Sequence, residues 1–330
     1  MLDKFAKLNK DTLNLEKIEM APTRDGFGHG LVELGEKNPN IVALCADLAE
    51  STRIHWFKEK FPERYVEIGV AEQNLATVAA GMAAMGKVPF IASYATFSPG
   101  RNNEQIRTTI SINESNVKIV GSHAGVSVGP DGATHQALED IGLMRMQPNM
   151  TVIVPVDAEE ARKATLAIGK TNGPSYIRLG RSKSPVFTTK DTPFAIGKAQ
   201  LFYDAQEPLV GIIGAGPVLH NALLAAHEMT ELGIPTSVLN LATIKPMDTK
   251  AVVEFAKHCG AIVTVEEHQI AGGLGSAVAE TLSKEHPVPM EFIGVHDQFG
   301  QSGEPDELIT HYKMDKDSIK DAIEKVLKRK

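Results

Sequence analysis

YVEIGVAEQNLATVAAGMAAMGKVPFIASYATF, residues 65–97, sets the pattern around which the rest of the chain is arranged. A short apolar run, Ile68 to Ala71, leads into Glu72, which opens a helix. Leu75, Val78, Ala79 and Met82 fall at i, i+3, i+4 and i+7, so that helix has one apolar face. Small residues fill much of the rest. Gly81 stands in mid-helix, where glycine costs about 1 kcal/mol against alanine; close approach of another backbone is the expected return. VPFIASYATF follows as a strand ending in Tyr94 and Phe97. A carboxylate at the start of a small-residue helix and an aromatic at the end of the next strand can flank a flat, nitrogen-containing ring. Glu72 alone also reads as a first-turn acid favourable to the helix dipole.

Outward from this stretch the chain alternates strands and helices. Residues 1–20 read as a polar arm with a short helix. PTRDGFGHGLVELGEKNP is a helix ended by Asn38-Pro39. IVALCADL is a buried strand with Asp47 at its C-terminal end, where parallel sheets place ligands. RNNEQIRTTISI is helical. NVKIVGSHAG is a strand running into the glycine-rich SHAGVSVGPDGATHQALED, followed by a helix with Ala137, Leu138, Ile141 and Met144 on one face. MTVIVPVD is a strand, DAEEARKATLAIGK a helix and GPSYIRLGR a last strand. This alternation predicts an α/β fold of two doubly wound domains with mainly parallel sheets. The first domain spans residues 21–185. RSKSPVFTTKDTPF, polar and without a period, places a linker at 186–195. The second domain, 196–330, has strands PLVGIIGAG, PTSVLNLATI, AIVTVEE and PMEFIGV, with helices starting near Pro217, Asp248, Gly275 and Asp306. Gly214-Ala215-Gly216 lacks the third glycine and acidic partner of a dinucleotide site and reads as a strand-to-helix turn. GGLGSA at a helix start suits tight packing or an anion.

The 330 residues suffice for two full cores. A net charge of −7 argues against nucleic acid or an anionic membrane as main partner. The two cysteines, Cys45 and Cys259, form no CxxC and lie in apolar runs, which suits a reducing cytoplasm. The N-terminus is too charged for a signal peptide, and no apolar run reaches membrane-spanning length.

ADLAES, GVAEQN, SHAGVSVGPDGATHQALED, RMQPNM and GPSYIRLGR, five motifs in series, resemble the C-terminal half of transketolase, and YATF adds to the match. The resemblance covers nearly the whole chain after residue 20. It implies a pyrimidine-binding domain followed by a transketolase C-terminal domain, with thiamine diphosphate as cofactor. Glu72 would bond the aminopyrimidine ring nitrogen, Phe97 would stack on that ring, and Tyr94 and Asp47 would help to hold the cofactor. His135 matches a histidine bonded to a sugar hydroxyl near the reacting carbon, and Asp131 an acid that reads a hydroxyl on the acceptor. Arg24, Ser51, His123 and Arg181 match the group that holds the sugar phosphate; arginine suits that task because its planar fork bonds two oxygens at once. Read from the residues alone, Asp47 also fits a helix N-cap, Asp131-Gly132 a turn, and the arginines a solvated surface. His123 and His135 have no third ligand at zinc spacing. The tract after Phe97, FSPGRNNEQIR, carries fewer aromatics than is usual in the family; Gln105 and Arg107 stand where compensation would come from.

Full-length transketolases carry a further N-terminal half that binds the diphosphate and a divalent cation through Gly-Asp-Gly and a later asparagine. This sequence has no Gly-Asp-Gly. The expectation is therefore a split transketolase: this chain is the C-terminal subunit, a second polypeptide carries the diphosphate and Mg2+ site, and two copies of each form an α2β2 heterotetramer. The reaction implied is two-carbon ketol transfer from a ketose phosphate to an aldose phosphate, in the pentose phosphate pathway. The rival readings are another split thiamine diphosphate enzyme, of the deoxyxylulose phosphate synthase or 2-oxoacid dehydrogenase β type, and a non-catalytic partner subunit.

Overall fold

The computed structural model describes all 330 residues. In its first half the elements run β1 (Met20–Ala21), α1 (Thr23–Lys37), β2 (Ile41–Cys45), α2 (Ala49–Thr52), α3 (His55–Lys60), β3 (Tyr65–Glu67), α4 (Glu72–Ala84), β4 (Val88–Tyr94), α5 (103–111), β5 (Lys118–Ser122), α6 (Asp140–Arg145), β6 (Thr151–Ile153), α7 (Ala158–Ile168) and β7 (Ser175–Arg178). The second half runs β8 (Ser184–Pro185), β9 (Gln200–Tyr203), β10 (Val210–Gly214), α8 (Leu219–Glu231), β11 (Thr236–Asn240), β12 (Thr243–Lys245), α9 (Thr249–Cys259), β13 (Ile262–Gln269), α10 (Leu274–Glu285), β14 (Met290–Val295), α11 (Pro305–His311) and α12 (Lys316–Leu327).

The first sheet has strand order β12-β6-β7-β5-β4-β2-β3. Its six strands from the first half are parallel, as the strand–helix alternation requires. Successive side chains of a strand face opposite sides. Ile41, Ala43 and Cys45 join Phe27, Leu31, Ala161 and Ala164 of α1 and α7 in one core; Val42 and Leu44 join Leu75, Ala79 and Ile106 of α4 and α5 in another. Both faces are thus covered, and the strands read as unbroken apolar runs. The second sheet, β14-β13-β10-β11-β9, is parallel except for β9. The core under α4 continues into this half through Ile213, Leu239, Leu241 and Leu274.

Helix α4 begins at Glu72, as the sequence predicts. Leu75 and Ala79 are buried, with Val78 and Met82 packed partly buried against the same core. Gly81 differs from expectation: a Cβ there would meet nothing within 4 Å. The backbone approach expected at Gly81 occurs instead at Gly26 in α1. A Cβ on Gly26 would lie 1.8 Å from the Ala158 carbonyl oxygen, so only glycine lets α1 and α7 pack this closely.

Other departures have local causes. Residues 1–19 contain turns and no helix. They are held to the second half by backbone bonds from Asp3 to Phe202 and from Asp204 to Met1, with Ala6 and Ile18 inserted in its core. PTSVLNLATI, read as one strand, breaks after Asn240. β11 stays in the second sheet, while β12 pairs antiparallel with β6 at the edge of the first. Strand β9 and helix α12 are absent from the sequence reading, although α12 carries a plain helical signal: Ile319, Ala322, Ile323 and Val326 are buried at i, i+3, i+4 and i+7 behind the Asp315 N-cap. Helix α6 begins at Asp140, so Ala137 and Leu138 precede it. The GGLGSA helix start does face an anion, and it is the chain's own: Glu266 accepts from the amides of Leu274 (2.7 Å) and Gly275 (2.8 Å). No helix is long and apolar enough to cross a membrane.

Candidate active site

Register brings the chemistry to one edge. Cys45 is opposite Glu67 and Ala92, Tyr94 opposite Ser122, and Gly121 opposite Arg178. The segments leaving the C-terminal ends of β2, β3, β4, β5 and β7 therefore emerge side by side, carrying Asp47, Glu72, Phe97, His123 and Arg181. This is where an open parallel sheet binds ligands.

Glu72 is 3% exposed, and its Oε2 is buried without a hydrogen-bond partner. A buried carboxylate oxygen left unpaired costs roughly 1–3 kcal/mol or more. Its place is fixed through the backbone: Asn102 Nδ2 donates to the Glu72 carbonyl (3.0 Å) and to Ser98 Oγ (3.1 Å). Asn102 is itself fully buried, with its own Oδ1 unpaired. The turn carrying Phe97 and the start of α4 are thus tied together. Asn102 and Ser98 escape the sequence reading; neither Gln105 nor Arg107 takes this role. Arg107 is exposed, and the Gln105 amide donates to its neighbour Glu104.

Four rings lie beside this turn. Tyr94 stacks on His123 with centroids 3.8 Å apart and lies near parallel to Phe97 at 6.0 Å. His135 stands edge-on to Phe97 (5.5 Å) and Tyr94 (5.9 Å). Its Nδ1 is 2.9 Å from Thr134 Oγ1, which leaves Nε2 available.

Arg24, Glu50, Ser51, Arg53, Tyr94, His123, Asp131 and Arg181 line one open cavity of 410 Å³. All four residues expected to hold a phosphate meet there, together with Asp131. Arg24 donates from one Nη to the Ser51 carbonyl (2.8 Å) and to His123 Nε2 (3.1 Å), while its Nε is buried and unpartnered. A guanidinium only donates, so His123 Nε2 accepts and Nδ1–H donates to Ser122 Oγ (2.9 Å). Burial first, then the charges of Arg24, Arg181 and Arg53, push the imidazole far below its ordinary pKa and keep it neutral. Arg181 is anchored by a bond to the Val128 carbonyl (2.8 Å).

Asp47 lies outside this cavity wall. It is exposed on the turn between β2 and α2 with φ +58°, and it is not a helix N-cap, since Leu48 precedes α2. Glu67 holds the turn by accepting from the amides of Asp47 (2.7 Å) and Gly69 (2.9 Å). Burial would raise the Glu67 carboxyl; the bonds from Tyr65, Gly69 and Asp47 outweigh it and hold it low. Nothing in the sequence marks Glu67, because its role depends on β2 and β3 being neighbours.

The second half braces the loop that bears His123, Asp131 and His135. Glu267 on β13 accepts from the Ser127 amide (2.7 Å), and Gln136 donates to the carbonyls of Val126 (3.0 Å) and Gln301 (2.9 Å). Gly125, at φ +89°, has room for no side chain: a Cβ would lie 2.2 Å from the Glu267 carboxylate. Beneath the loop, Arg178 bonds Asp140 Oδ2 (2.8 Å) and the carbonyls of Ala137 (3.2 Å) and Glu267 (2.8 Å).

Residues 19–186 match the pyrimidine-binding domain of transketolase, and residues 198–319 match the transketolase C-terminal domain. A Clostridium sp. protein named as a 6-deoxy-6-sulfo-D-fructose transketolase subunit is 40% identical over 314 residues, which are 95% of this chain and 97% of its own length. One subunit of an apulose-4-phosphate transketolase from Phocaeicola vulgatus is 38% identical over 311 residues, covering 94% of this chain and 99% of its own length. Among solved structures, a split-gene transketolase described as an inactive β4 tetramer superposes with a TM-score of 0.87 at 44% identity, over 93% of this chain and 98% of that one. This chain belongs to the transketolase family, as the half made of the pyrimidine-binding and C-terminal domains.

Proposed function

We propose that this chain is the C-terminal subunit of a split transketolase, completed by a separate subunit that binds the diphosphate and Mg2+. In this reading the pair transfers a two-carbon ketol group from a ketose phosphate to an aldose phosphate. The observation that carries it is the buried Glu72 Oε2, unpaired at a helix start that Asn102 ties to the Phe97 turn, while Tyr94, stacked near Phe97, lines the arginine-rich cavity. An orphaned carboxylate oxygen fits a ring nitrogen that shares a proton with it. Thiamine diphosphate, when bound, supplies the carbon nucleophile that breaks and remakes the ketol bond.

The chain's own residues supply the rest. Glu72 Oε2 holds the proton shared with the pyrimidine, and Phe97 and Tyr94 offer ring faces to it. Asp47 sits at the rim of the same edge. His135 Nε2 and the Asp131 carboxylate bond sugar hydroxyls. Arg24, Ser51 and Arg181 hold the phosphate. His123, with Nε2 already accepting from Arg24, acts on the phosphate by aiming that guanidinium.

The split-gene relative is described as an inactive β4 tetramer, which supports activity only in the mixed complex; α2β2 is the arrangement we expect. Both cysteines are free and buried, which suits the cytoplasm. Named relatives act on a sulfosugar and on apulose 4-phosphate, so the sugar must be measured; xylulose 5-phosphate with ribose 5-phosphate is the first pair to assay.

The test is reconstitution. The chain is purified with its native partner, and ketol transfer is assayed with thiamine diphosphate and Mg2+. Activity in the complex, none in the isolated chain and none in the complex with Glu72→Ala is the expected result. Ketol transfer by the chain alone would overturn the split reading, and full activity of Glu72→Ala would overturn the catalytic one.

A further inference from the structure

The 410 Å³ cavity contains a third guanidinium that no motif singles out. Arg53 follows α2 as its C-cap, in the left-handed region at φ +68°, a conformation that costs energy in a residue with a side chain. Three neighbours fix its head. Nε donates to Asp25 Oδ1 (2.6 Å), one Nη donates to the Glu50 carbonyl (2.9 Å), and the guanidinium carbon lies 5.7 Å from the Trp56 ring. The second Nη has no protein partner.

Like charges crowd here. Arg24, Arg53 and Arg181 share one cavity wall, and burial followed by Arg53 lowers the pKa of Arg24, with Arg181 adding to the effect. The acids of the site are Glu50 and Asp131, both exposed, and Asp25, already paired with Arg53. His123 is neutral and contributes no charge. Three fixed guanidiniums, one with a buried unpartnered Nε, are a costly arrangement that an anion of two charges relieves.

We propose that Arg53 is a specificity-determining residue: its guanidinium gives the cavity a third cationic contact, so that the site prefers a dianionic phosphate terminus to a monoanionic sulfonate. This rests on the reading above that the cavity takes the phosphorylated end of the sugar.

The test is calorimetric binding of ribose 5-phosphate, its 5-deoxy-5-sulfonate analogue and ribose to the 330-residue chain. The wild type should bind the phosphate at least 10-fold more tightly than the sulfonate at pH 7.5. Its phosphate affinity should rise between pH 5 and 7.5, as the second phosphate proton leaves near pH 6, while sulfonate affinity stays flat. Arg53→Met should weaken phosphate binding about 10- to 100-fold, flatten the pH slope and leave ribose unchanged. Arg53→Lys, which can still pair with Asp25, should recover part of both effects and guards against a folding defect. If Arg53→Met keeps the wild-type phosphate preference and slope while Arg24→Met loses phosphate binding, the role of Arg53 is refuted and the phosphate reading stands. If the wild type binds ribose 5-phosphate no better than ribose, the phosphate reading falls and takes this proposal with it.

Discussion

Replacing Arg178 with methionine should destabilise the chain by about 3–5 kcal/mol, because it strands a buried carboxylate. The two side chains of the Arg178–Asp140 pair are 4% and 1% exposed. Methionine keeps the apolar stem but removes the charge and the bonds to the carbonyls of Ala137 and Glu267. Asp140 would retain one donor, the Tyr176 hydroxyl at 2.6 Å, while its Oδ1 already lacks a partner. That surviving bond places the expected loss near the lower limit, about 3 kcal/mol. The assay is urea denaturation, followed by fluorescence of the single tryptophan, Trp56, and by circular dichroism in parallel. The decisive control is Asp140→Asn with Arg178→Met, which removes the stranded charge and should restore at least half of the loss, a coupling expected of residues in contact. A single-mutant loss under about 1 kcal/mol, or a double mutant no better than Arg178→Met, would mean that no stranded charge sets the cost.

Three further outcomes are expected. In the reconstituted complex, Glu72→Gln should lower ketol transfer by about 10²–10⁴-fold, the range for a positioned proton-transfer group, while the isolated subunit is as stable as wild type or more so; unfolding curves and turnover on the same preparations check both. Gly26→Ala should cost about 1–3 kcal/mol by forcing α1 from α7 and should weaken ribose 5-phosphate binding, since Arg24 lies on the same first turn; denaturation midpoints and calorimetry measure this. Burial, with Asp157 beside it, raises the Glu160 carboxyl to about 8 from 4.5. The folded chain therefore keeps a proton that the unfolded chain has lost, and stability from this group falls as pH rises from about 4.5 to about 8. Glu160→Gln should flatten that fall in a series of urea midpoints, and parallel curves for the two proteins would count against it.

The parts of the site that the sequence announces are those defined by local pattern. Glu72 opens α4 because a 3.6-residue apolar period starts there, and Tyr94, Phe97 and His123 follow β-type runs that end in polar or glycine-rich turns. Asp131 and Arg181 are marked by motif, and all of these reach the expected edge. What stays hidden depends on contacts between distant segments. Glu67 acts on Asp47 only because β2 and β3 are adjacent. Asn102 acts on Glu72 only because the Phe97 turn folds back over α4. The break at Asn240 cannot be read from PTSVLNLATI, which is apolar on both sides of it; the edge of the first sheet decides where β12 goes. Gly81 shows the opposite failure: a sound local argument names the wrong glycine, and the close backbone contact lies at Gly26.

The second half of the chain contributes no side chain to the cavity wall, yet it shapes the site. The loop from His123 to Glu139 is rich in glycine, and Gly125, Gly129 and Gly132 all have positive φ, so the loop's own backbone does little to fix one conformation. Bonds within the first half hold part of it, from the Gly129 amide to Val126, from Gly132 to Gly129 and from Arg181 to the Val128 carbonyl. The second half adds the Glu267 carboxylate on the Ser127 amide, the Gln301 carbonyl on Gln136, and Arg178 joining Ala137 to β13. Cutting the chain before the second half would leave Arg24 and Glu72 on the sheet but remove these supports from the loop of Asp131 and His135, the residues proposed to bond sugar hydroxyls. In the proposed function, the contacts that cross between the halves therefore serve substrate recognition as much as folding. Glu267→Ala tests this apart from global stability: ribose 5-phosphate binding should weaken more than the unfolding free energy falls, with about 1–3 kcal/mol at stake for the freed amide. Equal losses in both would mean the second half is only a support.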